Sequence, residues 1–96
     1  GEAYALSNMG NTYTCLENYE EAIRCQQTSV EIAQEIGDRW GCAAAMCNLG
    51  DAYRLSRQFD AAVLTLLNSL LIFDSLQASQ IETVMILLTQ IAFEVG

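Results

Sequence analysis

The sequence has no proline and no histidine, and only four basic residues stand against twelve acidic ones. Without proline the commonest helix breaker is missing, and abundant Ala, Leu, Glu and Gln then favour long helices. Without histidine there is no general base of the usual kind, and the commonest metal ligand is gone. The net charge of −8 argues against phosphate backbones and anionic membrane surfaces, so nucleic acid is not an expected partner. It admits a partner whose surface is basic or apolar. Uninterrupted apolar runs are also scarce. The longest, Ala61 to Leu76, is broken by Thr65, Asn68, Ser69 and Asp74, so no membrane insertion is expected, and no signal peptide is seen.

Four cysteines are present, Cys15, Cys25, Cys42 and Cys47, and none forms the C-x-x-C pair of a zinc site. They read as small, reduced, largely buried thiols, which places the protein in a reducing compartment, cytoplasmic or nuclear. No metal and no cofactor are expected. Half of the residues are hydrophobic, so the chain folds rather than staying disordered.

An internal repeat is the strongest signal. A shift of forty residues aligns Gly1 with Gly41, Ala3 with Ala43, Asn8 with Asn48, Gly10 with Gly50, and Tyr13 with Tyr53. The same shift pairs Ala22 with Ala62, Ser29 with Ser69 and Ile32 with Ile72. Within each copy the apolar positions follow a 3.6-residue period: Ala3, Leu6, Met9 or Gly10 and Tyr13, then Ala22, Ile23, Val30, Ala33 and Ile36. Asn18 with Glu21, Asp38, and Ser79 with Glu82 are read as helix N-caps, the first and last as capping boxes, and Gly37 as a helix stop. The expectation is an all-α chain of five helices: repeat 1 over residues 1–40, repeat 2 over 41–80, and a degenerate repeat or capping helix over 81–96. Because the chain starts with Gly and opens inside a repeat, it reads as a piece of a longer array.

These residues resemble the tetratricopeptide repeat, in which antiparallel helix pairs stack into an α-solenoid. The resemblance rests on Leu6, Met9-Gly10 and Tyr13, repeated as Met46, Leu49-Gly50 and Tyr53, with small residues at Ala22, Ser29, Ala62 and Ser69. Gly10 and Ala22 would mark the closest approach of two helix backbones, and Tyr13 and Tyr53 add bulk with a polar tip. The forty-residue period and the Gly37-Asp38-Arg39 link are most similar to the Pins/LGN polarity adaptors, and more loosely to kinesin light chains. In the third copy Ile86 and Phe93 take the first apolar and the tyrosine positions, while Thr89 and Gln90 stand where Leu-Gly is expected.

The resemblance implies a non-catalytic scaffold that holds a protein or peptide partner in a concave groove. The residues it places there are Tyr4, Ser7, Asn8, Asn11 and Thr14, then Ala44, Cys47, Asn48, Asp51 and Arg54. Asparagine suits the task because a carboxamide both donates and accepts, so Asn8, Asn11 and Asn48 can grip a peptide backbone of any sequence. The family's clamp for acidic carboxyl termini needs Lys or Arg where this chain has Ser7, Val84 and Leu88. No phosphate loop or nucleophile elbow is present, and the carboxylates Glu17, Glu20, Glu21, Glu31 and Glu35 fall at helix starts and on exposed faces, so no enzyme is expected. The alternative is self-association into a homo-oligomer through the apolar fourth and fifth helices. Val84, Leu87, Leu88, Ile91 and Val95 are the expected contacts, with Leu64, Leu66, Leu67, Leu70 and Leu71 crowding the helix before.

Overall fold

A computed structural model describes residues 2–95 and places five helices in them: α1 (Glu2–Cys15), α2 (Tyr19–Ile36), α3 (Arg39–Leu55), α4 (Phe59–Ser75) and α5 (Ile81–Val95). Each packs on the next. α1 also touches α3 and α3 touches α5, whereas α2 and α4 do not meet. The odd-numbered helices are thus drawn together and the even-numbered ones splayed, which curves the stack toward α1, α3 and α5.

Four turns join the helices, and all four close in the same way. Glu17, Gly37, Arg57 and Gln77, spaced twenty residues apart, each have positive φ, of 60, 74, 64 and 54°. The amide that follows each donates back five residues: Asn18 to Tyr13 O (2.9 Å), Asp38 to Ala33 O (2.9 Å), Gln58 to Tyr53 O (2.8 Å) and Ala78 to Phe73 O (3.0 Å). This six-to-one bond around a left-handed residue satisfies carbonyls that a helix end leaves orphaned. Gly37 meets the expectation of a helix stop.

Of the expected caps, only Asp38 forms. Its carboxylate accepts from the Gly41 amide at 2.8 Å. Asn18 makes no side-chain cap bond. Ser79 lies in a turn two residues ahead of α5, and no side-chain bond from it caps that helix.

The repeat is carried by hydrogen bonds as well as by letters. Ser29 Oγ donates to Ala3 O at 2.8 Å, and Ser69 Oγ donates to Ala43 O at 2.7 Å. Each buried hydroxyl ties a second helix to the first helix of its pair, and among the described residues no buried side-chain N or O atom lacks a partner. Ala22, Ala43 and Ala62 have no exposure, and these small side chains let the helices approach closely. The glycines have a different neighbour from the one expected. A β-carbon on Gly10 would collide with the Gln26 carboxamide, and one on Gly50 with the Leu66 side chain. A side chain of the following helix, rather than its backbone, fills the glycine notch.

The fifth helix leaves the forty-residue register. α3 buries Cys42, Ala45, Leu49 and Ala52. Forty residues on stand Glu82, Met85, Thr89 and Ala92, and all four are exposed. α5 instead turns inward Ile81, Val84, Leu88 and Ile91, which lie thirty-nine residues on. One residue is about 100° of helix rotation. That rotation keeps the Glu82 carboxylate in water and buries branched aliphatics in its place. Ile86 and Phe93, expected at pattern positions of the third copy, are consequently exposed. Val84 and Ile91, expected on a self-association surface, are core residues with 0% and 2% exposure, packed with Leu66 and Phe73 of α4. Leu87 and Leu88 are half-buried against the same cluster, and Val95 alone of that set is exposed.

Candidate functional site

Two clefts lie side by side on the inner face of the stack. The first, of about 210 Å³, is lined by Tyr4, Ser7, Asn8 and Asn11 of α1 and by Asp38, Trp40, Gly41, Ala44 and Asn48 at and along α3, with Ala3 and Ser29 behind. The second, of about 200 Å³, lies between α3 and the start of α5, lined by Ala44, Cys47, Asn48, Phe73, Gln80 and Thr83. Ala44 and Asn48 belong to both, so the clefts form one groove across three helices.

The wall between them is wired from below by Gln26, a side chain of α2 with no solvent exposure. Its Oε1 accepts from Ser7 Oγ at 2.8 Å, and its Nε2 donates to Ser7 O at 2.9 Å and to Asn11 Oδ1 at 3.2 Å. Ser7 Oγ in turn accepts from Asn48 Nδ2 at 3.3 Å, which links α1 to α3. A buried carboxamide is tolerated because both of its ends are bonded. The network also fixes the polarity of the groove. Asn11 spends its oxygen and keeps Nδ2 as a donor, while Asn48 spends Nδ2 and keeps Oδ1 as an acceptor. The Asn8 side chain is exposed and makes no bond among the described residues.

Of the other expected groove residues, Asp51 and Arg54 pair with each other. Arg54 donates through Nε and Nη2 to Asp51 Oδ1, at 3.1 and 2.8 Å, and through Nη1 to Glu94 Oε1 at 2.8 Å. Burial alone would lower the Arg54 pKa, but the bonds and charges of Asp51, then Glu94, raise it. These charges hold α5 on α3, and neither Asp51 nor Arg54 lines either cleft. Cys47 does line the second cleft. Burial, reinforced by the Asp51 carboxylate, pushes its thiol up to about 11, so it stays protonated and non-nucleophilic at neutral pH.

Sequence reasoning missed Asp38, Trp40, Gln80 and Thr83. All four lie just ahead of a helix or in its first turn, outside the apolar periodicity that locates faces. The forty-residue shift pairs Trp40 with Gln80, and this is the signal that could have found both. Trp40 meets the buried ring of Phe73 edge-on, with centroids 6.0 Å apart and planes at 72°.

Comparison with curated proteins finds no match to this sequence. The tetratricopeptide repeat family matches residues 1–72, which cover both helix pairs from α1 into α4. Its repeats generally mediate protein–protein interactions. With matched serine ties, matched glycine notches and three equivalent turns across the matched span, the chain belongs to the tetratricopeptide repeat family.

Proposed function

We propose that the groove over α1, α3 and the start of α5 holds an extended segment of a partner protein, and that the module acts as a non-catalytic scaffold. The observation that carries this is the polar arrangement at its centre. Among the described residues Asn11 Nδ2, Asn48 Oδ1 and the whole Asn8 carboxamide have no partner, yet Gln26 and Ser7 hold two of them in place. A peptide backbone offers one acceptor and one donor per residue, which these amides complement. Ser7 acts as a relay in this scheme, Tyr4 and Cys47 line the walls, and Asp51 with Arg54 braces α5. The similarity to the Pins/LGN adaptors fits such a role. An array of end-capped random nonapeptides tests it. The wild-type chain should bind a subset that Asn8→Ala/Asn48→Ala loses while keeping its helical circular dichroism. Binding that survives the double substitution removes the groove reading.

A second reading, self-association, is favoured by one comparison. On α2 the outward positions 24, 27 and 31 are Arg, Gln and Glu, while the equivalent positions of α4 are Leu64, Leu67 and Leu71. All three leucines are exposed, at 65%, 44% and 68%, so the fold does not require them to be apolar. A second copy pairing through this stripe would bury it. Light scattering should then give a dimer for the wild type and a monomer for Leu67→Glu, and a monomeric wild type removes this reading.

A further inference from the structure

Resting on the groove reading, we propose that the first cleft is a subsite for a basic side chain of the bound segment, arginine in preference to lysine. The cleft has two aromatic walls and one ionised group. Tyr4 is 65% exposed and Trp40 is 42% exposed, and the exposed Asp38 carboxylate lines the same cleft. Asp38 lies over Gly41, where a β-carbon would collide with Oδ2, so the absent side chain opens the floor and lets the carboxylate lie there.

Among the described residues the carboxylate has no counter-ion. The four arginines are engaged elsewhere: Arg24 with Glu21, Arg54 with Asp51 and Glu94, Arg39 with Ser75 Oγ, and Arg57 over the Phe59 ring. Charge complementarity therefore selects the occupant. An acidic side chain would meet Asp38 and a chain of net charge −8. An apolar one would strip water from the carboxylate and return no bond. A guanidinium can pair with Asp38 and lie on the indole or phenol face, and it sheds water more readily than an ammonium. At about 210 Å³ the cleft is smaller than sites that enclose a free small molecule, and a single long side chain suits it.

The nonapeptide array provides the test, with Trp40, the sole tryptophan, as a fluorescent reporter inside the cleft. Asp38→Asn suits it because asparagine is as good an N-cap as aspartate, so α3 keeps its start. Groove-dependent binders of the wild type should be enriched in arginine at one position and should shift Trp40 emission. Asp38→Asn should bind the same peptides about tenfold more weakly, a loss of about 1.4 kcal/mol. Glu31→Gln, the same charge change on the outer face of α2, should bind as the wild type does. Groove-dependent binders without basic enrichment, or binders indifferent to Asp38→Asn, overturn the subsite and leave the groove reading standing. Equal weakening by Glu31→Gln also overturns it, as a net-charge effect. No groove-dependent binder at all overturns the groove reading and the subsite with it.

Discussion

A β-carbon on Gly50 would stand 2.5 Å from Cγ and 2.6 Å from Cδ2 of Leu66, a side chain with no exposed surface. Neither partner can move without disturbing the α3–α4 contact. Gly50→Ala should therefore destabilise the fold by about 1–3 kcal/mol in urea denaturation, despite alanine's better helix propensity. Leu66→Ala should be costly by itself through its cavity. The double variant should be less destabilised than the sum of the two, because the cavity accepts the new methyl.

The matching notch in the first repeat is filled by Gln26, so Gln26→Leu transplants the second repeat's solution into the first. Three hydrogen bonds disappear, but the partners left behind, Ser7 and Asn11, reach solvent and can rehydrate. Stability should change by no more than about 1 kcal/mol. Peptide binding should fall more, because Asn11 loses its fixed orientation. Side-chain amide resonances of Asn11 and Asn48 that broaden or converge on free-amide shifts would check the cause, and unchanged resonances would count against it.

Three of the four turns place a side chain in the left-handed region, a conformation that costs an L-residue about 1–2 kcal/mol. Gln77→Gly should raise stability by roughly 0.5–1 kcal/mol, with Glu17→Gly similar, measured as a shift in melting temperature. Gly37→Ala should lower it by about 1 kcal/mol. A β-carbon at Gly37 meets nothing within 4 Å, so that loss would be purely conformational.

Cys47 gives a pH signature. Its folded-state pKa of about 11 lies above the ordinary 9.0 of an unfolded thiol, so between those values the unfolded chain loses a proton that the folded chain keeps. Stability should be level below pH 9 and fall as pH rises toward 11, and Cys47→Ser should flatten part of that fall. At pH 8, Cys15 should react with a thiol reagent in the native state, while Cys25, Cys42 and Cys47 wait for unfolding.

What the sequence made legible was whatever recurs. Paired letters at Ser29 and Ser69, or Gly10 and Gly50, correspond to paired contacts, and Gly37 marked a real helix stop. Less legible was anything set by competition between neighbours. The rotation of α5 follows from weighing Glu82 and Thr89 against Val84 and Ile91 as inward residues, and a fixed period cannot weigh them. Asn18 looks like a cap as Asp38 does, yet only Asp38 turns its side chain onto the helix that follows. Arg54 looked available for a partner until α5 brought Glu94 to it. Asp38 has no like residue forty positions on, Trp40 is paired there only with the dissimilar Gln80, and three-dimensional placement is what brings both to the cleft that Tyr4 lines.

The even spacing of the four left-handed turns bears on how the chain acquires its structure. Each closes on a bond spanning five residues, and no helix touches another more than two places away along the chain. Such low contact order predicts rapid folding that can nucleate at any hairpin and spread in both directions. It also makes opening sequential. α5 reaches the stack through a turn at Ala78–Gln80 and leaves Met85, Ile86 and Phe93 uncovered, so its amides should exchange with solvent well before those of α3, which is packed between α2 and α4.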